Sequence, residues 1–426
     1  MWSASTEKEM RAELSGNRKN RSYSFRRKEG ECRMNYHIAA RMDRMAPSGI
    51  RKVNEKALAM ERAGERVLHF EIGRPDFDTP EYIKKAANEA LAQGKVHYTS
   101  NFGMMELRQA IADKLKGENH IDCKATEVLV TVGLSEAVFA VLATLLDEGD
   151  EILVPDPVWL NYINVPNLLG AKAVTYSLKE ENGYQMDLDE IRSKITPRTR
   201  AVVIVTPNNP TGGVLEEDVL KELASIAQKH DLMVIADEIY ERLVYDGARH
   251  VSIASLPGMK ERTFTMNGMS KAYAMDGWRL GYVAAPEAYI TAMNKFHQHN
   301  TTCAPSFVQA AAVAALTQEG DEVKEMVEEY QRRRDYAVQA INDIDGIRCL
   351  CPKGAFYIFI NCKQLGKTSA ELSQYFLEEA KIALVPGDVF GPGGEGYLRM
   401  SFAASYEDIV EGCARLKEAV ACLGRA

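Results

Sequence analysis

Three short runs hold the residues best suited to covalent chemistry on a small molecule: Asn208-Asn209-Pro210-Thr211-Gly212, Ala236-Asp237-Glu238-Ile239-Tyr240 and Ser270-Lys271-Ala272-Tyr273-Ala274-Met275-Asp276-Gly277-Trp278-Arg279. Lys271 offers an amine that condenses with a carbonyl when desolvation and neighbouring positive charge keep it partly unprotonated. Arg279, eight positions on, offers a planar fork that binds phosphate through two parallel hydrogen bonds. Asp237 follows the unbroken apolar stretch Leu232-Met233-Val234-Ile235-Ala236, which puts its carboxylate at the edge of a buried layer where an unpaired charge is costly. A protonated pyridine nitrogen solves that problem. Asn209 is fixed by the turn that Pro210 makes. Amine, phosphate clamp, pyridinium partner and ring-hydroxyl partner are together what a pyridoxal phosphate (PLP) Schiff base requires.

Each residue alone has a plainer reading: a solvated lysine, an aspartate capping the next helix, an Asn-Pro turn. In register the three runs outweigh these, and here the chain resembles the class I aminotransferases of the fold type I PLP-dependent enzymes, aspartate/aromatic aminotransferase-like. The resemblance runs from about Met42 to the C-terminus. It implies that Lys271 is the Schiff-base lysine and proton shuttle and that Asp237 holds the pyridine nitrogen. Tyr240 and Asn209 would meet the ring oxygen, Asn209 also touching the substrate carboxylate.

The phosphate needs backbone donors and a fixed cation. Gly133-Leu134-Ser135-Glu136-Ala137 stands at a strand-to-helix junction, where free amides and the helix dipole favour an anion. Leu134 and Ser135 would bind it there, with Ser270 and Arg279 closing from the other side; an ordinary helix cap is the alternative for Ser135. By the resemblance, Tyr98 reaches the phosphate of a neighbouring subunit and Trp159 stacks on the pyridine face, where a core anchor is the alternative. Arg399 sits on the otherwise apolar run Tyr397-Leu398-Arg399-Met400-Ser401-Phe402 and demands an anionic partner. The resemblance makes that partner the substrate α-carboxylate, assisted by the backbone of Gly73; a structural salt bridge is the alternative. Many family members have Glu after this glycine, where the present chain has Arg74. Specificity is expected from Ile50, Arg74 and the segment Phe296 to Thr301, in which His297 or His299 would either read a second carboxylate or pack internally.

Positioning these residues calls for a parallel sheet. Apolar runs at Glu127–Val132, Glu151–Val154, Lys172–Tyr176, Ala201–Val205, Leu232–Ala236, Thr263–Asn267 and Leu280–Ala284 alternate with helical patterns, which predicts an α/β fold with helices on both faces of a mostly parallel seven-stranded sheet. Asp156, Pro207 to Gly212, Asp237 and Ser270 lie just past strand ends, where such sheets gather ligands. After about Val308 the pattern becomes α+β: a long charged helix, the run Gly354 to Ile360, a helix, the Tyr397 strand and a last helix from Tyr406 to Leu423. We expect a large PLP-binding domain over 80–307 and a small domain from 34–79 and 308–426.

With 426 residues the chain exceeds a single core, and its net charge of -8 argues against a nucleic-acid footprint. Eight scattered cysteines without a C-x-x-C pair read as free thiols in a reducing compartment rather than a disulfide or zinc framework. The longest apolar stretch, Ala137 to Leu146, is too short to span a bilayer. Residues 1–33 are polar and basic, with no apolar core for a secretory signal and too many glutamates for a transit peptide. Lys28-Glu29-Gly30 can be encoded by a purine-rich ribosome-binding sequence, and we expect translation to start at Met34. The expected protein is a cytosolic homodimer with shared active sites, acting on an amino acid and a 2-oxo acid, and binding no metal, nucleic acid or membrane. Two rivals are a lyase or synthase of the same fold and a transcription regulator with an aminotransferase-like domain; 1–33 lacks the length and apolar pattern of a winged helix.

Overall fold

Alternating apolar and amphipathic stretches build the main sheet in the computed structural model, which describes residues 37–318 and 320–423. After the two-residue β1 (Leu68–His69) come β2 (Val128–Thr131), β3 (Glu151–Asp156), β4 (Lys172–Ser177), β5 (Thr199–Val205), β6 (Met233–Asp237), β7 (Thr263–Gly268) and β8 (Gly281–Ala284). These last seven pair in the order β2-β8-β7-β6-β5-β3-β4. β4, β3, β5, β6 and β7 run parallel, and β8 is antiparallel to both of its neighbours. Every predicted strand is present with ends moved by at most two residues, so Asp156 and Asp237 close their strands instead of following them.

Both faces are covered, as the unbroken burial of β2, β3, β7 and β8 requires. Leu134–Leu145, Asn161–Leu169 and Glu287–Asn300 form one helical layer, sharing a core with Val154, Val203 and Ile235; Glu217–Lys229 lies in the other, against Val202, Ile204 and Val234. From β3 the chain moves outward to β4 on one side, and to β5 on the other. That reversal opens a crevice at the strands' carboxyl ends, the general binding place of open α/β sheets.

The C-terminal third adds β9 (Tyr357–Asn361), β10 (Ile382–Ala383), β11 (Val385–Pro386) and β12 (Tyr397–Ser401). β12 is the centre of an antiparallel sheet between β11 and β9, while β10 runs parallel to β1. Phe70, Tyr330, Phe356, Ile358, Leu398, Met400 and Phe402 make its core with the helices Glu322–Asn342 and Tyr406–Leu423. Each such fully buried large side chain contributes about 1.5–3 kcal/mol relative to exposure.

The chain falls into two compact units, 1–45 and 46–426. In the first, the described residues contain a 3-10 turn, Ala40–Arg44, with no buried side chain. The start at Met34 concerns residues outside those described. Seven cysteines are described, and all are free. No described helix is long and apolar enough to cross a membrane.

Candidate active site

The apolar run before Asp237 makes β6 a central strand, so the carboxylate at its end is buried. Tyr162 donates to its Oδ2 at 2.7 Å and the amide of Ile239 to its Oδ1 at 3.2 Å. Burial drives the Asp237 carboxyl up to about 6 against those two donors. Trp159 sits just before the helix that carries Tyr162 and sets its ring edge-on to that phenol at 6.0 Å. The turn beyond β6 is braced from outside: Ser252 donates to Glu238 at 2.6 Å, His250 lies 3.2 Å from the same carboxylate, and Lys114 pairs with Glu241.

Lys271 follows β7 and donates from Nζ to the carbonyl of Gly73 at 2.6 Å. The residue is partly covered along its length, with the amine enclosed beside the rings of Phe356 and Tyr240 at 5.6 and 5.9 Å. Burial, helped by the charges of Arg399 and Arg279 and opposed by Asp276 and Asp237, brings the amine down to about 8. Two further bonds strap the Gly73 segment to the lysine loop. Thr79 donates to the carbonyl of Ala274 at 2.7 Å and accepts from the Trp278 indole at 3.0 Å. A side chain at Gly73 would meet the Tyr357 hydroxyl at 2.0 Å, so only glycine allows this approach.

Gly133, at φ +75°, turns the chain from β2 into the helix Leu134–Leu145, whose first amides have no side-chain cap. A Cβ there would fall 2.5 Å from Nη2 of Arg279. The glycine therefore lets the guanidinium close over the helix start, while Arg279 Nη1 donates to the carbonyl of Asp276 at 2.7 Å. Leu134 and Ser135 open the helix and Ser270 is buried beside Lys271; neither serine hydroxyl bonds to a described residue. Glu136 faces inward, accepting from Val132 N and lying against His297 Nδ1, both at 2.6 Å. His297 is thus an interior partner, fully buried, and the packed alternative is the one the fold adopts; His299 is exposed.

On β12, Arg399 is buried at 1 % exposure, donating from Nη1 to Asn209 Oδ1 at 3.0 Å and from Nη2 to the carbonyl of Glu71. Its Nε has no partner, and it forms no ion pair with a described carboxylate. The ring of Tyr357 lies 4.4 Å from the guanidinium and that of Phe390 5.0 Å. The two ring-oxygen candidates are thereby each tied to this wall: Asn209 by Arg399, and Tyr240 by a 2.7 Å contact between its hydroxyl and that of Tyr357.

Lys271, Gly73, Tyr240, Asn209 and Arg399 thus form one set of contacts around Tyr357, while Asp237 and Arg279 act on the Lys271 amine through their charges and Trp159 is joined to Asp237 through Tyr162. Tyr98 stands apart, 87 % exposed, and Arg74 is exposed without an ion pair to a described residue. Ile50 is half-buried at the edge of the core that holds Phe359 and Phe390. Sequence reasoning missed Tyr162 and Tyr357. Tyr357 is a phenol in an apolar run and Tyr162 one among Leu160, Ile163 and Val165, and a buried phenol needs a polar partner; that was the available signal.

The chain that carries this set of amine, carboxylate, helix-start cradle and unpaired arginine has relatives along most of its length. Residues 65–416 match the family described as aminotransferase class I and II. An aromatic-amino-acid aminotransferase of Thermococcus litoralis and an aspartate aminotransferase of Pyrococcus abyssi are each 45% identical over 384 residues, covering 89% of this chain and 97% of theirs. The structure of the Thermus thermophilus aspartate aminotransferase with maleate superposes with a TM-score of 0.87 at 37% identity, over 90% of this chain and all of that one. With a family match spanning most of the chain and relatives matched nearly end to end, the chain belongs to the class I and II aminotransferases and is an enzyme of the transaminase type.

Proposed function

We propose that this enzyme uses PLP to move an amino group between an L-amino acid and a 2-oxo acid by a ping-pong mechanism. Arg399 carries the proposal: a buried cation held by neutral groups, with one nitrogen unpartnered, matches an incoming carboxylate. Gly133 supports the cofactor, since its missing side chain lets Arg279 close over uncapped helix amides, a fit for phosphate. Bound there, PLP would supply the carbonyl that takes the amine and the ring that holds an electron pair.

The chain's own groups do the rest. Asp237 would hold a proton on the ring nitrogen, because a carboxylate this buried gains most from a cationic partner. Tyr240 and Asn209 would donate to the ring oxygen, and Trp159 would cover a ring face. Leu134, Ser135, Ser270 and Arg279 would hold the phosphate. Lys271, low enough in pKa to be partly unprotonated near neutral pH, would hold the cofactor through its carbonyl carbon and, once free, would move the proton at the substrate Cα. Arg399 and Gly73 orient the carboxylate. The exposure of Tyr98 suits a residue completed by a second copy, which supports a homodimer with shared sites. We assign 80–307 to a large domain and 34–79 with 308–426 to a small one, in the cytoplasm. Relatives named for aspartate and for aromatic amino acids support an L-amino acid donor. A panel of donors against 2-oxoglutarate, pyruvate and oxaloacetate tests the reading: parallel double-reciprocal lines and a 2-oxo acid product are expected. Elimination from cystathionine without amino transfer would overturn it.

A further inference from the structure

β9 and β12 are antiparallel, with Phe359 opposite Arg399 and Ser401 opposite Tyr357. Two steps along a strand return to the same face, so Tyr357 is the diagonal neighbour of Arg399, within reach of a long side chain. The guanidinium accordingly lies 4.4 Å from the Tyr357 ring centre. At its other end the Tyr357 hydroxyl abuts Gly73, where a Cβ would stand 2.0 Å away, and lies 2.7 Å from the Tyr240 hydroxyl. Gly73 is also the residue whose carbonyl takes the Lys271 amine. One buried phenol touches the carboxylate clamp, the segment that parks the lysine amine and the ring-oxygen donor.

A phenol has one hydrogen to give. Each of these two hydroxyls has the other as its one hydrogen-bond partner among the described residues. The Tyr357 hydroxyl is closed in by Gly73, whose carbonyl is already engaged, so its hydrogen has no described acceptor except Tyr240. Burial makes both phenols poor acids, and the charge of Arg399 opposes that at each, ranking second only to burial at Tyr357. A hydrogen given by Tyr357 leaves that of Tyr240 free to point into the site.

We infer that Tyr357 is a positioning residue with two separable parts: its hydroxyl donates to Tyr240 and so aims the Tyr240 hydrogen at the site, while its ring carries the Arg399 guanidinium. The inference rests on the PLP reading of Lys271, Tyr240 and Arg399 given above. A donor to the ring oxygen draws charge from it and loosens the proton shared with the lysine nitrogen. The pH midpoint of the bound cofactor's visible absorbance therefore reports the hydroxyl, and the inhibition constant of an unreactive carboxylate, succinate or 3-phenylpropionate, reports the ring.

Tyr357→Phe in the holoenzyme is expected to raise the absorbance midpoint by roughly 0.1–0.3 pH unit, because Tyr240 keeps its hydrogen for the site but loses the donor that polarises its hydroxyl, with carboxylate inhibition unchanged. Tyr357→Leu is expected to show the same shift and also to weaken carboxylate inhibition by roughly tenfold, as a desolvated cation–π contact is lost. A wild-type midpoint in the Phe variant, or equal loss of carboxylate binding in both variants, overturns the inference. Should either variant fail to fold, 3-fluorotyrosine at 357 gives the same test: the stronger donor lowers the midpoint, and an unchanged or raised midpoint overturns the assignment. Wild-type protein without PLP absorbance, or Lys271→Ala retaining it, would instead sink the parent reading.

Discussion

Asp237 and Arg399 are both buried charges, yet the chain treats them differently. Asp237 has a phenol on one oxygen and a backbone amide on the other, on the most interior part of the large sheet. Arg399, on a three-stranded sheet, has a side-chain amide and a carbonyl, and one nitrogen with nothing. Burial opposes the charged form of both, raising the pKa of the first and lowering that of the second. Internal donors keep a carboxylate in place for a permanent partner. A cation met by neutral groups is stabilised only when an anion arrives, which is what a substrate that must leave again requires. On the proposed function, the sheet floor would serve a resident group and the antiparallel wall a visitor.

Removing the residue between them should have the largest effect. Lys271→Ala is expected to abolish the cofactor absorbance and cut turnover by roughly 10²–10⁴-fold or more, with the fold intact by circular dichroism. In the wild-type apoprotein, attack on added PLP requires the unprotonated amine, so the rate should rise with pH and level off above a midpoint near 8. Rapid-mixing absorbance would show it; a rate still climbing towards the ordinary 10.5 would mean a solvated lysine. On the floor, Asp237→Asn keeps the shape but not the charge that holds the ring nitrogen protonated. We expect cofactor binding to persist and kcat to fall roughly 10²–10³-fold; turnover within a few-fold of wild type would make Asp237 a mere cap.

The wall is tested by Arg399→Ala. Loss of a bidentate charged pair should cost about 2–5 kcal/mol in kcat/KM for amino acid donors. Cofactor spectrum and affinity should hardly change, and amines without a carboxylate should suffer far less. An early-melting variant with donor kinetics preserved would make the arginine structural, and the contrast with Asp237 would collapse.

The sheet was legible because all its strands but the edge strand β4 are largely buried and so read as near-continuous apolar runs. Lys271, Asp237, Asn209, Arg279 and Arg399 could be proposed from the sequence because three runs in register resemble the family, and because charged groups at the ends of apolar runs, or inside them, are costly without a partner. Tyr162 and Tyr357 were not. Both are amphipathic aromatics whose bulk fits a core, and only the register of β9 on β12 and the pitch of the helix after Trp159 bring their hydroxyls to Tyr240 and Asp237. For His297 the packed reading is the one the fold adopts, and only its partner, Glu136, was hidden by sequence distance. Pairings between distant segments are decided by packing, and no local pattern carries them.

The smallest expected effect tests whether the floor's internal donors matter at all. Tyr162→Phe removes the 2.7 Å bond to Asp237 Oδ2 and leaves the ring in its place against Trp159. That bond favours the ionised carboxylate, so losing it moves the Asp237 pKa further up in the direction burial already drives it. A hydrogen bond to a charged group is worth about 1.5–3 kcal/mol when buried, and the amide of Ile239 remains, so a loss of about tenfold in kcat is expected. The loss should not be uniform. Activity needs the ionised carboxylate, so the acid limb of the kcat profile should move to higher pH, with the deficit growing as pH falls and shrinking above neutrality. A deficit of equal size at every pH would mean that Tyr162 only fills space, and that Asp237 is held ionised by the cofactor alone, as Arg399 is by its substrate.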